Sequence, residues 1–158
     1  MNCMQLSQTA EYALRAAIWL SQRVGDPQTT QQIAAGCQMP ASYLVKVLQP
    51  LAKAGIVNAQ RGLGGGYVLV RNPEELTLLE VLNAVEPIQR IRVCPLKISS
   101  HGSNLCALHQ ALDDTLAEAE RNLGSQTFGE LLKRKNKSRP LCQTTSAPVA
   151  LGLSALKR

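Results

Sequence analysis

A chain of 158 residues, 45% of them hydrophobic, is long enough for one good core or for one small domain carrying an extra helix. Its net charge of +6 points to an acidic partner, and no apolar run approaches the ~18 to 20 residues that a bilayer span needs. The start Met1-Asn2-Cys3-Met4-Gln5 has no basic leader, so a cytoplasmic location is expected, with the five cysteines free or metal-bound rather than paired as disulfides.

Ser7 to Ser21 reads as a helix, with Leu6, Ala10, Ala13, Leu14, Ala17, Ile18 and Leu20 forming a broad apolar face around Tyr12 and Trp19. Gly25-Asp26-Pro27 ends the connection, and Thr29-Thr30-Gln31-Gln32 opens a second helix with a capping box. The breaker Gly36-Cys37-Gln38-Met39-Pro40 separates it from a third helix beginning at Ala41. There Leu44, Val47, Leu48 and Leu51 fall at buried spacing, leaving Ser42, Tyr43, Lys46 and Gln49 outward. Two helices joined by a tight turn, the second polar on its free face, is the helix-turn-helix pattern whose second helix enters the DNA major groove. Pro50, inside that helix, is expected to kink or shorten it.

Ala54-Gly55 closes the helix, and Arg61-Gly62-Leu63-Gly64-Gly65-Gly66 is a turn joining a short strand from Ile56-Val57 to the strand Tyr67-Val68-Leu69-Val70. This predicts a β-hairpin wing tipped by Arg61. Between Pro27 and Pro73 there is no Asp or Glu, while Lys46, Lys53, Arg61 and Arg71 are positive, so the unit can approach phosphates without like-charge repulsion. The same unit could also serve only as a protein-interaction module.

Thr77-Leu78-Leu79-Glu80 is a further capping box, opening a helix that stops before Pro87. No clean period runs from Pro87 to Asn104. From Leu105 the series Leu105, Leu108, Leu112, Leu116, Ala119, Leu123 predicts a helix whose apolar seam pairs with a second copy, with Asp113, Asp114, Glu118 and Glu120 mostly outside. Packing back on its own domain is the alternative. Thr127 to Leu132 reads as a short capped helix, and beyond Lys133 a basic, aperiodic tail is expected to be disordered. The organisation expected is therefore a DNA-binding domain over 1–86, a cysteine-bearing loop over 87–104, a dimerisation helix and closing helix over 105–132, and a tail over 133–158. The fold class is mainly α with a small β-hairpin wing.

Leu44-Val45-Lys46-Val47-Leu48, Leu51-Ala52-Lys53-Ala54-Gly55-Ile56-Val57, Arg61-Gly62-Leu63-Gly64-Gly65-Gly66-Tyr67 and Leu76-Thr77-Leu78 resemble the Rrf-two family of bacterial winged-helix transcriptional regulators. That family includes iron–sulfur cluster regulators and nitric-oxide-sensitive repressors. The resemblance covers about residues 4 to 132. It implies a homodimer that places two recognition helices on a pseudo-palindromic operator in double-stranded DNA. Ser42, Tyr43 and Lys46 would meet the major groove, and Arg61 matches the wing arginine that enters the minor groove.

Cys94, Cys106 and His109 are the chemical candidates. Cys106 and His109 stand three residues apart on one helix face, and Cys94 lies across an eleven-residue loop able to fold back to them. Thiolate and imidazole are soft ligands suited to an iron–sulfur cluster, or to zinc. The resemblance matches Cys94 and Cys106 to the first and third loop cysteines of cluster-binding relatives and His109 to the histidine that follows them. Ser100 stands at the middle position, so a mixed ligand set is implied. It matches Glu11, by position, to an acidic fourth ligand supplied by the other subunit, completing a 2Fe-2S site. Other readings stay open. Glu11 can pair with Arg15 at i, i+4, His109 can be a surface residue, and Cys94 or Cys106 can act as a cluster-free thiol switch. A thiol redox enzyme built on Cys94 is a third reading, opposed by the lack of a nucleophile–base–orienter set. Cys3, Cys37 and Cys142 are expected to pack or lie in the tail.

Overall fold

The computed structural model describes residues 6–96, 104–135 and 140–141. Ser100, Cys3, Cys142 and most of the basic tail lie outside them. Among the described residues six helices and one hairpin follow in the order α1 (Gln8–Ser21), α2 (Thr30–Gly36), α3 (Ala41–Lys53), β1 (Val57–Gln60), β2 (Gly66–Leu69), α4 (Leu78–Val85), α5 (Ala107–Gly124) and α6 (Phe128–Lys133). Among the described residues no helix is long and apolar enough to cross a membrane.

Local chemistry starts most of these helices. Ser7 caps α1 by accepting from the Ala10 N–H, and Thr29, Thr77 and Thr127 each form a full capping box with Gln32, Glu80 and Glu130. The turn between α2 and α3 is closed by the Met39 N–H donating to Ala34 O, with Gln38 at φ 52°. Gly36 must be glycine, because a Cβ there would stand 2.2 Å from the Trp19 ring.

α3 buries Leu44, Val47, Leu48 and Leu51 at the expected spacing. It is not shortened at Pro50: helical structure continues to Lys53, and the Ala54 N–H donates to Pro50 O at 2.9 Å. The carbonyl that the proline orphans is that of Lys46, an exposed residue, so water can satisfy it. Trp19, Leu20, Ile33, Leu44, Leu48, Leu51, Leu76, Val81 and Phe128 share one core. Each fully buried side chain of this size contributes roughly 1.5–3 kcal/mol.

The hairpin is antiparallel, with Val57 opposite Leu69 and Gln60 opposite Gly66. β2 is held on its other edge as well, where Gln28 and Tyr67 exchange backbone bonds of 2.9 and 2.7 Å. Trp19 Nε1 donates to Gln28 Oε1, so this glutamine ties the wing to α1, beside the burial of Leu69 in the core that α1 shares. α6 also returns to this unit: Thr127 bridges Thr77, and Phe128 is buried in the main core.

The leucine seam of α5 is divided. Leu116, Ala119 and Leu123 line a groove of about 340 Å³ with Leu6, Ala10 and Leu82, whereas Leu108 and Leu112 stand 65% and 48% exposed. Asp113, expected outside, is buried instead, and shares the inward face with Ala117. The reason is a partner far away in sequence: Arg90 grips its carboxylate.

Candidate nucleic-acid interface and cysteine site

α3 presents Ala41, Ser42, Val45, Lys46 and Gln49 to solvent along one face. Tyr43 is half-buried. Its hydroxyl and Thr9 Oγ1 share a 2.6 Å hydrogen bond, and its ring meets Tyr12 edge to face. Lys46 Nζ lies 5.5 Å from that ring, so Tyr43 acts as a platform that directs the lysine. Val45, 47% exposed in the middle of this face, was not among the residues singled out by periodicity. An apolar side chain at that place suits a thymine methyl group.

Arg61 opens the wing turn and is exposed, and Leu63 at the tip is fully exposed between Gly62 at φ 104° and Gly64 at φ 77°. Lys46, Lys53 and Arg61 take part in none of the ion pairs among the described residues. Arg71 does: it pairs with Glu80 at 3.0 Å. That carboxyl is held below its ordinary range by the Thr77 N–H first, then by the Thr77 hydroxyl and Arg71, against the opposing effect of burial. Three of the four cations in the acid-free stretch are therefore left for phosphate.

The irregular stretch after α4 brings Cys94 to the first turn of α5. Cys106 is the residue that precedes this helix, and His109 lies in its first turn. His109 Nδ1 is 3.2 Å from Cys106 Sγ and 3.8 Å from Cys94 Sγ. Cys94 is buried, and Cys106 is half-buried. The three predicted groups thus stand together. Two thiols and an imidazole fit the soft donor set of an iron–sulfur cluster or zinc, and they number three where a closed site takes four. Among the described residues no group of three or more His, Cys, Asp and Glu is placed so as to hold a metal ion.

Glu11, in the first turn of α1, is bound to Arg15 at 2.5 Å, and Arg15 also donates to Cys37 O. Cys37 is fully buried, its thiol donates to Arg15 O, and burial pushes its pKa from 9.0 to about 12. It remains a neutral thiol.

The model of a family described as Rrf2, iron-dependent transcriptional regulator, matches residues 6–134. The regulator NsrR of Bacillus subtilis is 31% identical over 135 residues, covering 84% of this chain and 92% of its own. The regulator IscR of Xenorhabdus nematophila is 29% identical over 133 residues, covering 84% and 81%. The solved structure of CymR, the global cysteine regulator of B. subtilis, superposes with a TM-score of 0.68 at 26% identity, over 82% of this chain and 96% of that one. These relatives are helix-turn-helix transcriptional regulators and not enzymes. Matched by that model over residues 6–134 and carrying a helix-turn-helix with a hairpin wing, this chain belongs to the Rrf2 family of DNA-binding transcriptional regulators.

Proposed function

We propose that the protein is a homodimeric repressor whose operator affinity is set by a 2Fe-2S cluster held by Cys94, Cys106 and His109, with Glu11 of a second copy as fourth ligand. The observation that carries this reading is the convergence of both thiols on His109 Nδ1 at the foot of α5. When bound, the cluster would supply redox- and nitric-oxide-sensitive ligation. The residues of the chain do the rest. Cys94 belongs to the segment leaving α4, Cys106 is the N-cap of α5 and His109 lies in its first turn, so a change in how they are held alters the path between the wing unit and the dimer helix. Ser42 and Lys46, steered by Tyr43, read the major groove, and Arg61 enters the minor groove. Two copies address half-sites about one helical turn apart.

Purification without oxygen, followed by iron and sulfide analysis, tests the site. Coloured protein that becomes colourless on Cys106→Ala supports the cluster, and iron-free protein from the same preparation removes it. Arg61→Ala tests the interface: operator binding in a salt-controlled shift assay should weaken by about 1–3 kcal/mol with an unchanged melting temperature, since Arg61 holds nothing in the fold. The same closeness of thiols and imidazole also supports a second reading, a thiol switch free of iron. In that case operator binding by iron-free protein responds to peroxide and recovers with dithiothreitol.

A further inference from the structure

Cys94 is 4% exposed, yet it sits in a stretch, from Glu86 to Leu96, that belongs to no helix or strand. A segment without regular hydrogen bonding needs an external hold to keep a thiol buried. Four residues before Cys94, the Arg90 guanidinium grips both oxygens of Asp113, with Nε at 2.7 Å and Nη2 at 2.6 Å, and reaches Glu120 with Nη1 at 3.0 Å. The next backbone N–H, that of Ile91, donates to Asp113 Oδ1 at 2.8 Å. Asp113 is 6% exposed. It follows His109 by four residues, so the two share one stripe of α5. The segment from Arg90 to Cys94 therefore runs back along α5 and touches it at two rungs, arginine on aspartate and thiol on imidazole.

A buried, bidentate ion pair is a poor source of net stability, because desolvating both ions offsets their attraction, but it fixes geometry closely. Apolar side chains would have covered the same surface. We infer that Arg90, Asp113 and Glu120 form a positioning clamp that seats Cys94 against His109, so that access to the sensing thiol is set by a carboxylate on the dimer helix. The clamp acts on the chain itself and holds whether or not iron is bound.

Thiol labelling of the full-length protein, reduced and stripped of metal by chelation, tests this. The rate at which iodoacetamide modifies Cys94 is compared with that of Cys37, which reports on the α1–α2 core. Asp113→Ala should speed Cys94 labelling by about tenfold or more with Cys37 still protected. Asp113→Asn keeps an acceptor for the Ile91 N–H while losing the charge, and should fall between. Labelling of Cys94 within about twofold of the unmodified chain in both variants overturns the clamp. So does a parallel rise at Cys37 in both, since that marks general loosening rather than release of one segment. Should only Asp113→Ala expose both cysteines, the Asn variant decides.

Discussion

The wing unit and α5 leave opposite surfaces unused. In α3 Leu44, Val47, Leu48 and Leu51 are buried, and Ser42, Lys46 and Gln49 remain outside with Val45 among them, Lys46 without an ion partner. In α5 the buried residues are Asp113 and Ala117, while Leu108 and Leu112 stand in water. A polar face that the fold does not need is available to a polar ligand, and an apolar face that the fold does not cover is available to another apolar face. The two halves of one chain are thus complete in different senses. The first is closed around its core and presents a largely polar face to DNA; the second is open, with two leucines left in solvent.

The largest expected effect comes from reversing that second surface. Leu108→Glu with Leu112→Glu changes two exposed side chains, so the wing unit should keep its melting behaviour. Each leucine buried in a self-pairing seam is worth roughly 1.5–3 kcal/mol, and two copies contribute four. Sedimentation should therefore show a monomer, and operator affinity should fall by about 100-fold or more as the second half-site contact is lost. A variant that stays dimeric breaks the comparison, because the exposed leucines would then serve no association.

A smaller effect separates the two regions by the tolerance of their glycines. A Cβ at Gly66 would lie 2.4 Å from Gln28 O and 2.5 Å from Gln28 C, both backbone atoms that cannot swing aside. Gly66→Ala should detach β2 from Gln28 and lower stability by about 1–3 kcal/mol in chemical denaturation. At Gly124 the nearest contact is Leu79 Cδ2 at 3.3 Å, the end of a flexible side chain. Gly124→Ala, at the last helical position of α5, should stay within about 0.5 kcal/mol of the parent or gain slightly. Equal losses at both positions would mean that α5 is packed as tightly as the wing.

What could be read from sequence follows the range of each interaction. The capping boxes at Thr29, Thr77 and Thr127 span three residues and were legible one by one. The buried face of α3 and the hairpin are also local, and both formed where periodicity and glycine placed them, apart from the helix running on through Pro50. The meeting of Cys94 with Cys106 and His109 was only weakly legible in spacing, which sets two of the three one turn apart at the start of α5, and it was the family resemblance that singled out Cys94. The burial of Asp113 was not legible. Its partner Arg90 lies 23 residues away across an aperiodic segment, and a helical wheel assigns an aspartate to water. Tyr43 shows the same limit. Its place on the recognition helix suggested an outward group, and only the fold reveals Thr9 beside its hydroxyl.

The smallest effect probes the seam between the regions, where the caps of α4 and α6 lie against each other. Leu78 N–H donates to Gln126 O and Phe128 N–H to Leu76 O, both at 3.0 Å, so the first turns of two helices 50 residues apart form a short ladder. Thr77 Oγ1 accepts from the Glu80 N–H and Thr127 Oγ1 from the Glu130 N–H, each at 3.2 Å. Either Thr→Ala change should cost about 1 kcal/mol in thermal unfolding, the usual worth of an N-cap hydroxyl, and Thr→Ser should recover most of it. If the ladder joins α6 to the wing unit as one cooperative body, the double substitution departs from the sum of the singles by at least about 0.5 kcal/mol. Strict additivity with two separate transitions would instead assign α6 to the region of α5, and the boundary between the closed and open halves would move to Leu76.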